Sequence, residues 1–208
     1  MAEEVTVPFL SLDQTQIRRA NASYFVLANY APWDLVIPSK MGLTLGWIES
    51  AAKTWEFEYL RGSISVPYLI ADLGSMTDVR YSIITRSYAN RSSFNFSYGV
   101  TYFDFTVHLG DQLLNRVSGG ATPSMDLIQI QSLGVNFGIG NRWSFNRNIT
   151  VGIDWLSWAQ PLVALNKNSA FLNQASIQHD KDDVEKGISI VSYFPRFSVL
   201  KIQVGILF

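Results

Sequence analysis

The stretch Arg196–Phe208, RFSVLKIQVGILF, decides the fold of this chain. Its large apolar residues stand at every second position: Leu200, Ile202, Val204, Ile206 and Phe208. The positions between them hold Lys201, Gln203 and Gly205. A repeat of two residues is the period of a strand whose two faces meet different environments. The segment is therefore predicted to be a β-strand with one apolar face.

The same alternation recurs along the chain and predicts eight strands. They lie near residues 21–31, 40–50, 54–65, 77–89, 93–109, 127–141, 148–163 and 196–208. The connections between them are alternately long and short, which is the rhythm of an all-β, antiparallel up-and-down barrel. In the first strand, Tyr24 and Val26 compete with Phe25 and Leu27 for the apolar face, so the orientation of that strand stays open.

The composition sets limits on the class of protein. The chain has 208 residues and net charge −1, with 48% hydrophobic and only 16% charged residues, against roughly 25% charged in soluble domains. No apolar run approaches the roughly 18 residues of a membrane-spanning helix, so a helical membrane protein is excluded. The balanced charge gives no reason to expect nucleic acid. Without cysteine there is no disulfide or thiolate metal site.

The residues between the apolar positions indicate which face of the strands is interior. They are mostly Gly, Ser, Thr and Asn, which suit a crowded interior better than a water-facing surface. Trp and Tyr stand near strand ends, as in the aromatic girdles of membrane barrels. We therefore predict a transmembrane barrel over residues 21–208, preceded by a segment at 1–20. A soluble β-barrel or sandwich with its apolar face inward is the alternative.

The carboxy-terminal strand also carries a resemblance. Phe208, preceded by Ile206 and Val204, resembles the signature strand of Gram-negative outer-membrane β-barrels. The overall plan is similar to the small eight-stranded group that includes the transmembrane domain of outer membrane protein A. The resemblance implies a bacterial outer-membrane location, periplasmic termini, a removed signal peptide, surrounding lipid and recognition by the barrel-assembly machinery. It implies no particular activity.

Charged residues of both signs occupy positions predicted to face the lumen. They are Glu56, Glu58, Arg80, Arg86, Asp104, Asp154 and Lys201. An unpaired buried charge is costly, so these side chains are expected to pair in a hydrogen-bonded plug. A barrel of eight strands has a bore that side chains fill. The main prediction is a sealed structural interior, and the alternative is a narrow, porin-like channel gated by the plug.

The apolar alternation changes phase in the fifth and sixth strands, after Tyr102 and between Ile130 and Leu133. A β-bulge at matching heights in this hairpin is the simplest explanation, and it would place Asp104 and His108 inward near the outer rim. In the alternative, the hairpin protrudes beyond the membrane.

A catalytic site is the weakest of the functional hypotheses. His108 with Asp104 would form a base and its orienting carboxylate, with Ser82 as nucleophile, in a lipid-modifying enzyme at the outer rim. A rim histidine more often serves as a hydrogen-bonded strand-end residue. We expect no catalytic activity, cofactor or metal site.

Two of the long connections are unexpectedly apolar. Their residues Trp33, Leu35, Ile37, Tyr68, Leu69 and Ile70 are predicted to form an interaction surface. In the fourth long connection, apolar residues at helical spacing predict a helix between Asp182 and Phe194. These elements either cap the barrel mouth or contact lipid or neighbouring copies. In the second case the chain forms a homo-oligomer through its apolar loops or its lipid-facing surface.

Overall fold

The computed structural model describes residues 14–65, 75–89, 93–108, 126–145, 148–169, 186 and 188–208. Helix α1 (Gln14–Ala20) precedes nine strands. These are β1 (Tyr24–Ala31), β2 (Trp33–Asp34), β3 (Lys40–Ser50), β4 (Lys53–Ser65), β5 (Ser75–Tyr88), β6 (Phe94–His108), β7 (Asp126–Ser144), β8 (Ile149–Ser169) and β9 (Arg196–Leu207). Residues 188–193 are helical, within the region where a helix is predicted. Within the described ranges, no helix has the length and apolar character required to cross a membrane.

The strands form one closed antiparallel sheet. From β3 to β9 each strand pairs with the next, and β1 pairs with both β3 and β9. The short β2 continues β1 beyond Pro32 and pairs with β9, so β1 and β2 act as one strand of the wall. The predicted antiparallel barrel of eight strands is therefore confirmed. We call the end with residues 51, 52, 89, 93, 145 and 148 the turn end, and the opposite end the loop end.

The alternation places large apolar side chains on the outside of the wall. On β3, Leu43, Leu45 and Trp47 are each about half exposed, while Thr44 between them is fully buried. Burial also decides which side chains of β1 face the lumen, because Phe25 and Leu27 are buried and Tyr24 is exposed. Phe25 and Leu27 pack against Leu207 and close the turn end of the lumen.

All nine glycines in the strands stand at lumen-facing positions. They are Gly42, Gly46, Gly62, Gly99, Gly134, Gly138, Gly140, Gly152 and Gly205. At Gly205 an added Cβ would lie 1.8 Å from the carbonyl oxygen of Val26, across the seam where β9 meets β1. The two strands approach so closely there that no side chain fits between them, which gives Gly205 a steric role.

The predicted bulge in the hairpin of β6 and β7 is wrong. The two strands pair without interruption from Phe94 to Val107, so the same alternate set faces inward throughout. Phe103 and Phe105 therefore point into the barrel and are buried, as is Ile130 on β7. The apolar phase changes because the lumen itself becomes apolar near the loop end. Asp104, at the opposite parity, faces outward instead.

A real change of phase occurs between β8 and β9. Pairing passes from Asp154 and Lys201 to Leu156 and Val199, and Leu200 adopts a left-handed backbone with φ of 57°. Lys201 is buried on one side of this irregularity, and Ser198 and Arg196 are buried on the other. Without it, the alternation would turn Ser198 and Arg196 toward the outside.

Candidate functional site: the charged lumen

The lumen near the turn end is occupied by a group of ion pairs that we call the inner network. Its members are Glu56, Glu58, Arg86, Arg142, Asp154 and Lys201, none more than 4% exposed. Glu56 accepts hydrogen bonds from Arg86 Nε at 2.9 Å and from Arg142 Nη1 at 2.6 Å. Arg86 Nη1 also donates to Asp154 at 2.7 Å. Lys201 Nζ lies 2.6 Å from Glu58 and 3.0 Å from Asp154, which makes the chain of charges continuous.

A second group, the outer network, lies nearer the loop end. Its members are Asp34, Lys40, Asp78, Arg80 and Arg196, all buried. Arg80 Nη2 lies 2.8 Å from Asp34 and 2.9 Å from Asp78. Lys40 is paired with the same two carboxylates, and Arg196 Nε lies 3.8 Å from Asp78. Ser198 also donates to Asp34.

These networks satisfy charges that would otherwise be very costly to bury. Glu56 alone holds two guanidinium groups in forked hydrogen bonds, a geometry in which planar arginine pairs strongly with carboxylate. Removing one partner from such a buried pair leaves the other charge uncompensated, at a cost of about 3–5 kcal/mol. The side chains that cross the lumen are therefore held in fixed positions by one another.

Six of the seven residues predicted to face the lumen lie in these networks, and Asp104 does not. Asp104 is on the outer face of β6, where it accepts hydrogen bonds from Gln129 at 3.2 Å and Gln131 at 3.3 Å. Its assignment to the lumen was wrong because it depended on a bulge that the hairpin lacks.

Several members of the networks were missed from the sequence. Asp78 shares the inward parity of Arg80 on β5, so the alternation contained a signal for it. Arg142 lies between the predicted strands at 127–141 and 148–163, but β7 extends to Ser144 and includes it. Asp34 lies between the predicted strands at 21–31 and 40–50, yet it belongs to β2. Arg196 reaches the lumen only through the irregularity at Leu200, for which the sequence offers no signal.

The loop end of the lumen is closed by an apolar cluster that we call the cap. Its buried members are Ile37, Phe105, Ile130 and Ile188, with Val191 packed against them. Ile37 is fully buried, so its assignment to an exposed interaction surface is wrong. Trp33 and Leu35 are 60% and 61% exposed. The other residues of that predicted surface, Tyr68, Leu69 and Ile70, lie outside the described residues.

The proposed catalytic combination does not come together in this fold. Ser82 lies in the lumen, 2.9 Å from the hydroxyl of Thr101, whereas Asp104 lies on the outer face of the wall. A nucleophile and an orienting carboxylate on opposite faces cannot serve one substrate. Across the described part of the chain, no cluster of three or more His, Asp or Glu residues is arranged to hold a metal ion.

The residues of the carboxy-terminal signature lie on the outer face. Val204, Ile206 and Phe208 are each about half exposed. The main chain of Phe208 exchanges hydrogen bonds with that of Tyr24, which extends the seam between β9 and β1. Aromatic pairs line this end of the wall, with ring centroids 5.8 Å apart for Trp47 and Trp55.

Comparison with known proteins gives similarity of structure but not of sequence. No family model matches the chain, and no curated protein matches its sequence. The N-terminal β-barrel domain of OprF from Pseudomonas aeruginosa is similar in structure, with 12% identity and a TM-score of 0.49 over 90% of this chain and 98% of that domain. Neisserial surface protein A (NspA) is similar at 10% identity and a TM-score of 0.49, over 89% of this chain and 97% of that one.

The fold class follows from the wall itself. Its backbone groups pair around a closed ring, its outer face is largely apolar, and the charged side chains of the two networks are buried inside. In water such an outer face would be an unusually large exposed apolar surface, whereas in hydrocarbon it is the favoured one. The chain is an eight-stranded transmembrane β-barrel.

Proposed function

We propose that this barrel is an integral protein of a bacterial outer membrane, with a structural or interaction role and a lumen sealed against ions and solutes. The observation that supports a sealed lumen is the succession of layers within it. The cap at the loop end is followed by the outer network, the inner network and the apolar cluster of Phe25, Leu27 and Leu207 at the turn end. In this proposal the partners are outer-membrane lipid and the barrel-assembly machinery, and there is no catalytic role.

Helix α1 adds a further closure at the turn end. Arg18 donates to the carbonyl oxygen of Ser144 at 2.9 Å, and Arg19 donates to that of Ala51 at 2.8 Å. Arg19 is buried, with its guanidinium 3.2 Å from the centre of the Tyr88 ring. The helix thus connects the end of β7 with the turn between β3 and β4 across the opening of the barrel.

The sealed lumen predicts that the purified protein does not conduct in planar lipid bilayers. Replacing both Arg86 and Arg142 by Ala removes two side chains that cross the lumen, so this double variant is expected to show open-channel steps. Steady steps from the wild-type protein would contradict the proposal and favour the gated pore. If those steps persisted after Arg86 and Lys201 were replaced by Met, the charges would not be the gate.

We also propose that the barrel associates with copies of itself through its exposed apolar residues at the loop end. Trp33 pairs with Val199, and the amide of Leu35 donates to the carbonyl oxygen of Phe197, so both side chains are held on the wall. Exposed apolar groups on an ordered element commonly mark an interaction site.

The mass of the detergent-solubilised particle, with bound detergent subtracted, tests this association. We expect a multiple of the 23.4 kDa chain, and a return to one chain when Trp33 and Leu35 are both replaced by Gln. Tyr98→Gln, on the opposite part of the wall, is the matched control and should keep the wild-type mass. A wild-type monomer would rule the association out.

An unchanged phospholipid and lipid A profile on overexpression is expected, because no catalytic role is proposed.

A further inference from the structure

The buried charges near the turn end do not balance. The inner network contains the carboxylates of Glu56, Glu58 and Asp154 and the cations Arg86, Arg142 and Lys201. Arg19 enters the same region from helix α1 and is only 2% exposed. Three carboxylates therefore face four cations among the described residues, which leaves one excess positive charge in a region shielded from water.

Arg19 is the cation that has no carboxylate partner among the described residues. Its guanidinium donates to the carbonyl oxygens of Ala51 and Arg142 and stacks on the ring of Tyr88. These contacts are neutral, so they satisfy hydrogen bonds without offsetting the charge. An uncompensated charge is much more costly in a buried site than at the surface.

Arg142, beside Arg19, has a donor that is not used. Its two terminal nitrogens donate to Glu56, Gln203 and Tyr88, but its Nε has no partner within the part of the chain that is described. The Arg142 side chain is more than nine-tenths buried. Buried donors without acceptors are rare and indicate a further binding partner.

Arg19 and Arg142 line one small cavity of about 10 Å³. The rest of its wall is formed by Phe25, Ile48, Thr54, Tyr88, Ser144, Thr150 and Leu207. The hydroxyl groups of Thr54 and Thr150 already donate to Glu56 and to the carbonyl oxygen of Trp143. The arginines are thus the charged side chains in the wall of this cavity, which has room for one water molecule or one monatomic ion.

We propose that this cavity binds one monatomic anion, a halide such as chloride, between Arg19 and Arg142. A water molecule in the cavity would offer a hydrogen-bond acceptor but would leave the excess positive charge in place. A halide offers an acceptor and also carries the negative charge that offsets it. Phosphate and carboxylate ligands are too large for the cavity. The anion then joins helix α1 to the barrel wall and stabilises the closed turn end.

The test measures the thermal unfolding of the full chain in detergent at constant ionic strength, with chloride, bromide or gluconate as the sodium salt. Gluconate is too large to enter the cavity. We expect chloride and bromide each to raise the midpoint by about 3 °C or more over gluconate, with saturation, as for any ligand that binds only the folded state. Equal midpoints in the three salts would overturn the proposal.

Two variants separate this site from general salt effects. Arg19→Met removes the excess charge. The unfolding midpoint of this variant should therefore be the same in halide and in gluconate, whatever its absolute stability. Arg18→Gln, in the same helix but only partly buried, should respond as the wild type does. If halide raised the midpoint of Arg19→Met as much as that of the wild type, the halide would be acting at another site and the proposal would be refuted. In crystals grown with bromide, an anomalous peak between Arg19 and Arg142 supports it, and peaks confined to the surface refute it.

Discussion

Replacing Glu56 by Gln is expected to lower the free energy of unfolding by about 3–5 kcal/mol, the cost of breaking a buried ion pair. The substitution keeps the size of the side chain and removes only its charge. Arg142 then loses its carboxylate partner, while Arg86 keeps Asp154. Urea titration of the protein folded in lipid vesicles, followed by tryptophan fluorescence, measures the change.

Glu49→Gln is the matched control for that measurement. Glu49 also pairs with a cation, Lys53 at 2.8 Å, but both side chains are substantially exposed at the turn end. Exposed pairs contribute little, so a change below about 1 kcal/mol is expected. Similar losses in the two variants would show that the inner network is not shielded from water.

Replacing Leu45 by Arg is expected to destabilise the membrane-inserted barrel by about 2–4 kcal/mol, the cost of a cation on the lipid face near the middle of a bilayer. Leu45 lies at the centre of the outer face of β3, between Leu43 and Trp47. The same urea titration in vesicles measures this loss.

Gln131→Arg supplies the control, because Gln131 is also on the outer face but lies beside Asp104 near the loop end. A change of about 0–1 kcal/mol is expected there, as at a membrane interface. If Leu45→Arg left the free energy of unfolding unchanged, the apolar face would not meet lipid. The same conclusion would follow if the wild-type chain stayed folded and dissolved without any amphiphile.

The contrast between Leu45 and Gln131 also bears on how far the wall of the barrel extends beyond the hydrocarbon. On β6 and β7 the outward residues become polar beyond Tyr102, where Gln129 and Gln131 both donate hydrogen bonds to Asp104. These polar groups favour the alternative in which the hairpin protrudes beyond the hydrocarbon, which stays a prediction. On β8, by contrast, Leu162 and Leu165 remain apolar and exposed near the loop end. The two sides of the loop end therefore meet different surroundings.

The sequence by itself determined the strands and the character of their two faces. Alternation is a local property, since neighbouring side chains of a strand always point to opposite sides. It therefore located β3 at its observed limits, and it assigned Arg86, Asp154 and Lys201 to the inside. The same local rule identified glycine as a lumen residue, because the inside of eight strands is narrow.

Only the tertiary structure decided which charges meet and where the alternation changes phase. Glu56 and Arg142 are far apart in the chain and share a hydrogen bond only because the barrel closes. Asp104 faces outward, against the prediction, because an apolar lumen near the cap preserves the phase on β6. Arg196 faces the lumen because the backbone of Leu200 shifts the phase on β9. Such choices depend on packing between distant strands, which a periodic pattern within one strand does not contain.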